Sequence, residues 1–398
     1  MWRRIFFSLF AVFALVLPVF AQDDGVTPTG ANTAQDLFAP IMAGGGGFTT
    51  SQGGAAASAL NPAAEGNAQR IMFDVGYIAL PSLGDESGFG IGAFNLGAIF
   101  PTRYGVFGGS MRFLHSPFDS FPVETSFQGN INAAKEIYPG INVGIGLNTG
   151  FNSGNDLTIS GDLGFRYNMG ALGPLENFTW AVTARSLGKS WIPPMFTPAG
   201  GVSFDFLHIR GANDKANPLR MGLAADLMIP TGQNLAGKLG LSILIAELVK
   251  ISTSTQFNIR ESIDGVGPSP IPSIGLGLIW KLRPGGPRIV GGTLPSDGEL
   301  AVDLAAKPLY NGIWGIGSGV TWTVGVADKN PPVIVIDYPE PAWISPNNDG
   351  RADYLEFPLT ITDERYVMDW VMEIKDEQGS PVRTYRNKDI RPETQGVQ

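Results

Sequence analysis

The sequence predicts an all-β fold: a transmembrane antiparallel β-barrel of about fourteen strands, with a partial β-sandwich after it. Three observations carry this. From Arg70 to Val326, segments of ten to thirteen residues alternate apolar with polar or glycine positions and are separated by turn residues. In one of them Leu157, Ile159, Leu163, Phe165 and Tyr167 interleave with Thr158, Ser160, Asp162, Gly164 and Arg166. Successive side chains of a strand point to opposite faces, so this segment has one apolar and one polar face. Half-buried strands of soluble proteins average about five or six residues, whereas a tilted strand of roughly nine to eleven crosses a bilayer. The second observation is an export signal at the start of the chain. The third is that no stretch after it is long and apolar enough for a membrane helix, and a closed barrel is the other way to satisfy every backbone group in lipid.

Residues 1–21 read as the signal. Arg3 and Arg4 form a positive n-region, Ile5 to Val16 an apolar run, and Pro18 breaks that run before Val19-Phe20-Ala21. The run falls short of the roughly twenty residues of a helical span, which disfavours an anchor helix. No cysteine follows the cleavage site, so lipoprotein anchoring is excluded, and with no cysteine anywhere there are no disulfides or thiolate metal sites. After Phe20 the longest strongly apolar stretch runs from Leu241 to Val249, and Glu247 interrupts it. The expected location is the outer membrane of a diderm bacterium, in contact with its lipid, with both terminal regions periplasmic.

Composition agrees. Charged residues are 16% of the chain against 43% hydrophobic, with 53 glycines and 30 prolines; a soluble surface would carry about a quarter charged residues. A net charge of −9 argues against nucleic acid as a partner.

Residues 22–69 are rich in glycine and alanine, from Gly44-Gly45-Gly46-Gly47 to the run Gly53–Ala64. They cannot be a membrane strand. They read either as a disordered lead-in or as a short helix packed inside the barrel, ending near Asn61-Pro62 because the residue before proline avoids the helical region.

Residues 70–327 hold the strands, placed at 70–82, 88–101, 104–115, 123–135, 140–152, 156–169, 178–190, 198–209, 218–230, 234–246, 249–261, 272–283, 298–307 and 315–327. The outward faces include Val143/Ile145/Leu147/Phe151, Leu219/Met221/Leu223/Leu227/Ile229, Ile251/Phe257/Ile259, Ile274/Leu276/Leu278/Trp280 and Val320/Trp322/Val324. Trp180, Trp280, Trp314, Tyr167 and Tyr77 near strand ends suit interfacial girdles. Inward glycines such as Gly144, Gly146, Gly275, Gly277, Gly317 and Gly319 are expected to leave space beside the wall.

Residues 328–398 form a linker and a second region. Charges crowd in after Tyr338, and Leu355–Ile361 and Trp370–Ile374 resemble strands of a soluble sandwich with too few partners to close it. The expectation is that the chain is truncated here or pairs with a protein partner. Asn347, Asp349 and Asp353 space oxygen side chains around a turn as calcium favours, although Asn and Asp also make turns unaided.

Catalysis is nearly excluded. A barrel hydrolase needs a nucleophile, a histidine base and an orienting carboxylate, and the chain has only two histidines, His115 and His208. The charges on the inward face form the better constellation: Asp162, Arg166, Arg185, Arg220, Asp226 and Arg260, with Lys281 and Asp303. They read either as pairs filling a narrow lumen, since unpaired buried charge is costly, or as a polar channel end that grips an anionic head group with arginine forks.

Gly53–Ala64, ending in Asn61-Pro62-Ala63 just before the first strand, resembles the N-terminal hatch of the FadL-like outer-membrane transporters, a feature shared by the PorV-type barrels. The resemblance covers roughly residues 36–327 and implies a fourteen-stranded barrel plugged by an N-terminal hatch carrying Asn61, Pro62 and Ala63. It implies a non-enzymatic channel for hydrophobic small molecules, such as long-chain fatty-acid-like compounds, that pass by hatch-gated diffusion. The alternative it implies is a PorV-like barrel that docks or assembles secreted or envelope proteins. The run Ser345–Gly350, with Ile374–Thr384, resembles the start of an FlgD-type immunoglobulin-like domain, which implies a periplasmic interaction module for such a partner.

Overall fold

The computed structural model describes residues 39–83, 88–116, 118, 125–154, 157–189, 196–211, 217–229, 235–258, 271–282, 298–309, 312–325, 333–336, 359–362 and 370–386. The signal segment, Ile259, Arg260 and the proposed calcium ligands Asn347, Asp349 and Asp353 lie outside these residues.

Fourteen strands close into one barrel: β1 (Ile71–Ser82), β2 (Gly88–Thr102), β3 (Gly105–His115), β4 (Ser126–Tyr138), β5 (Ile141–Asn152), β6 (Leu157–Leu172), β7 (Leu175–Lys189), β8 (Thr197–Ile209), β9 (Leu219–Met228), β10 (Ala236–Ile245), β11 (Val249–Asn258), β12 (Ser273–Leu282), β13 (Gly298–Pro308) and β14 (Trp314–Val324). Each strand pairs antiparallel with its sequence neighbours, and β14 returns to β1 with Ile71 opposite Val324. Strands of 10 to 16 residues have the reach to cross a bilayer. The even count leaves both barrel termini at one end, called here the terminal end. That end also carries the tight β2–β3, β4–β5 and β6–β7 turns.

Burial follows the alternation. On β6, Leu157, Ile159 and Leu163 are each more than half exposed, while Asp162 and Arg166 are buried. The outward residues meet across strands, with Phe127 stacked on Phe151 at 5.5 Å and Phe165 tilted against Trp180 at 4.9 Å; such pairs contribute about 0.2–1 kcal/mol each. A continuous apolar outer face on a closed sheet is the surface that lipid covers. One expected outward residue differs: Ile229 is buried, because β9 stops at Met228 and the next amide leaves the alternation to donate to the Pro198 carbonyl at 3.0 Å.

A second unit begins at Val326. Its described residues form two separate two-stranded antiparallel sheets, β15 (Val333–Ile336) with β16 (Leu359–Thr362) and β17 (Val371–Lys375) with β18 (Pro381–Arg386).

Candidate functional site

The site is the barrel interior, and residues 39–69 occupy it. They contribute a π-helical turn, Met42–Gly46, and one short helix, α1 (Ala55–Leu60). The helix ends where the sequence requires: Asn61, held before Pro62, is extended at φ −145° and ψ 109°. Small residues let this segment approach the wall closely, and Ala43, Ala55, Ala63 and Ala64 are fully enclosed.

Asn61 is completely buried, and its carboxamide is fully used. Nδ2 donates to the carbonyls of Thr49 at 2.9 Å and Phe165 of β6 at 3.3 Å, and Oδ1 accepts the Ala63 amide at 3.0 Å. One side chain thus ties the turn to itself, to the preceding loop and to the barrel wall. Pro62 and Ala63 lie over Gly144 of β5 and Gly164 of β6, which face each other in register. A β-carbon on Gly144 would fall 2.3 Å from the Pro62 carbonyl carbon, and one on Gly164 would fall 2.8 Å from the Ala63 nitrogen. The inward glycines therefore do not leave open space. Gly144 and Gly164 form a notch filled by the Asn61–Ala63 turn, Gly275 receives Gly44, and Gly76 and Gly319 receive Pro40. Gly146, Gly277 and Gly317 are also crowded, by wall atoms of Asp162, Asp303 and the Tyr77–Ile78 stretch.

Polar tethers surround the segment. Asp226 Oδ2 accepts both the Thr49 amide (2.7 Å) and the Thr49 hydroxyl (2.8 Å). Asp74 on β1 accepts the Ala55 amide. Lys238 on β10 donates to the Gly47 carbonyl at 2.8 Å and lies over the Phe48 ring, and Ser252 on β11 donates to the Gly44 carbonyl at 2.6 Å. Arg166 donates through Nε to the Thr50 carbonyl at 3.2 Å. Within the segment, Glu65 Oε1 accepts the Gly53 and Gly54 amides at 2.7 and 3.1 Å. Burial pushes the Glu65 carboxyl above its ordinary range, and those two amides oppose the shift.

The remaining charges have separate roles. Asp162 accepts the Asn148 amide at 2.7 Å and the Ser186 backbone amide at 2.7 Å, extending a wall network that begins at Asn130. Ser186, at φ 60°, is the extra residue of a β6–β7 bulge, and Asp162 satisfies the amide that the bulge frees. Arg185 is buried and donates to Met228 Sδ at 3.6 Å. Arg220 pairs with Asp205 at 3.6 Å and is 44% exposed at its side chain. Lys281 does not line the lumen; it sits at the end of β12, paired with Glu247 of the β10–β11 turn. Of the histidines, His115 bonds the Thr125 hydroxyl at 2.6 Å and His208 bonds Glu176.

The segment divides the interior chemically. Toward the end opposite the termini, Ala43 joins an apolar cluster of Ile78, Leu80, Ala93, Leu114, Phe118, Ala305, Leu309 and Ile313. Toward the terminal end lies a cavity of about 330 Å³ between residues Gly45–Gln52 and the β6–β11 wall. Sequence reasoning missed Asp74, Glu65, Thr49 and Lys238. Asp74 and Lys238 carried a usable signal, each being a charge at an inward position of its strand, whereas Glu65 and Thr49 lie outside any periodic pattern.

No protein-family model matches the chain, and no curated protein matches it. Among solved structures, the chain is similar to the toluene transporter TodX of Pseudomonas putida, at 10% identity and a TM-score of 0.44, over 72% of this chain and 97% of that one. It is similar to the CymD monoaromatic hydrocarbon channel at 10% identity and 0.44, over 72% and 96%. A FadL homologue of Pseudomonas aeruginosa shares 8% identity at 0.34, over 73% and 96%.

Proposed function

We propose that this chain is an outer-membrane channel for hydrophobic small molecules, in which residues 39–69 act as a hatch whose local displacement opens the route. The observation behind this reading is the docking of that segment. It fills glycine notches, its backbone is hydrogen-bonded to β1, β6, β9, β10 and β11, and it separates an apolar compartment from a polar one. The apolar cluster gives a hydrophobic solute a favourable place to leave water, at roughly 25 cal/mol per Å² of apolar surface buried. The tethers are separate hydrogen bonds to different strands, so the segment can move piecewise without unfolding the barrel.

Deletion of residues 22–60 tests the gate. The expected result is a barrel that still assembles, with a sharp rise in planar-bilayer conductance and in uptake of small hydrophilic dyes. An assembled truncated barrel with unchanged permeability overturns the reading.

A further inference from the structure

The cavity at the terminal end has a different chemistry from the apolar compartment. Its walls carry three cationic side chains, Arg166, Arg220 and Lys250, against one carboxylate, Asp205, and amides such as Asn168 and Asn177 supply more donors. This local excess of positive charge sits in a chain whose net charge is −9. The cations are not used up by the protein. Arg166 is 4% exposed, and its Nη1 has no hydrogen-bond partner although Nε is bonded to Thr50. Lys250 makes no hydrogen bond or salt bridge among the described residues, and Arg220 reaches Asp205 only at 3.6 Å. Glu65 and Asp303 act electrostatically on Arg166 and Lys250 but do not line the cavity.

A buried guanidinium with an idle N–H edge costs free energy unless an acceptor joins it, and Lys250 and Arg220 bring further positive charge to the same cavity. Arginine presents parallel donors that match a carboxylate or phosphate group, and lysine adds a point charge. A volume of about 330 Å³ is at the small end of ligand sites. We propose that this cavity binds a small hydrophilic anion bearing a carboxylate or phosphate group, with Arg166 and Lys250 as its principal contacts. The site lies on the terminal side of residues 39–69 and is intact while they are docked.

The test is calorimetric titration of the full chain in detergent with succinate, with inorganic phosphate and with the neutral analogue succinamide. Saturable binding of either anion, absent for succinamide and weakened about tenfold or more in Lys250→Gln and Arg166→Gln, is the expected result. Succinate alone identifies a carboxylate site, phosphate alone a tetrahedral-oxyanion site. Because Arg166 also tethers Thr50, heat-modifiable gel migration checks each variant's fold, and Lys250→Gln carries the test if Arg166→Gln does not assemble. No saturable binding of either anion, equal binding of succinamide, or unchanged affinity in folded Lys250→Gln overturns the proposal. This readout is binding with the segment docked, so it can fail while the permeability test succeeds, and the reverse.

Discussion

The Asn61 carboxamide rests on the bare backbone of Gly164: a β-carbon there would stand 2.1 Å from Asn61 Oδ1. The contact is possible because Gly164 faces Gly144 across the β5–β6 ladder, so two adjacent wall positions lack side chains at the same height. The Asn61-Pro62-Ala63 turn fits where those side chains are missing.

Gly164→Ala and Gly144→Ala are therefore expected to lift the turn off the wall. Both added carbons meet backbone or a fully bonded side chain, which cannot move aside cheaply, and overpacking of this kind costs about 1–3 kcal/mol. Single-channel recording should show more frequent openings in either variant. Gly161→Ala, whose new carbon has nothing nearer than 3.7 Å, is the matched control and should behave as wild type.

Asn61→Asp should loosen the docked segment more than Asn61→Ala. Alanine leaves the Thr49 and Phe165 carbonyls without a donor, at about 1–3 kcal/mol for buried groups. A carboxylate also turns a second acceptor toward those carbonyls in a site with no exposure. Limited proteolysis of residues 39–69 in detergent would rank the variants, and equal protection of the Asn61→Asp and wild-type chains would count against this account of the turn.

The barrel was legible because its signal is periodic and long. Every strand from β1 to β14 falls within a few residues of its sequence-based position, since a one-residue slip would put Leu163 inside and Asp162 in lipid. The interior was much less legible. That Gly144 would receive Pro62 cannot be read from either residue, because the contact depends on barrel closure and on the path of a non-periodic segment. Glu65 and Thr49 belong to that segment and had no face to be assigned to. Asp74 and Asp226 had an assignable face, but their partners are backbone amides, which the sequence does not mark.

Adjacent residues of β6 should report opposite environments. Ile159 is 55% exposed and Ser160 is 6% exposed. The chain has no cysteine, so single-cysteine spin labels at 159 and 160 need no background removal. The label at 159 should relax with oxygen dissolved in lipid and the one at 160 should not. Equal accessibility at both positions would contradict the barrel register.

Glu65 should make docking weaker as pH rises. Its carboxyl is raised from the ordinary 4.5 in the docked state, mainly by burial. Below 4.5 both docked and released forms are protonated, and docking bears no penalty from this group. As pH climbs above that value the released form ionises first, so docking loses stability until pH passes the raised docked-state value. The difference in segment protection between wild type and Glu65→Gln should therefore favour the variant more at pH 8 than at pH 4, and a difference that shrinks with rising pH would have the wrong sign.

Asp226 and Thr49 should be energetically coupled. One carboxylate oxygen accepts two donors from the same residue, at 2.7 and 2.8 Å, and both atoms are buried. Hydrogen bonds to charged groups contribute about 1.5–3 kcal/mol each, but only the hydroxyl bond is lost in Thr49→Val, because the amide remains. Asp226→Ala loses both. A double-mutant cycle on hydrogen exchange of the Thr49 region should then give a coupling of about 0.5–3 kcal/mol, as found for residues in direct contact. The single Asp226→Ala change should exceed Thr49→Val because it also strands the amide. It should raise open probability, since the β9 tether is one of those that hold the loop leading into α1. Additive effects of the two substitutions would mean that Asp226 acts on the wall alone and that the loop is held by its other contacts.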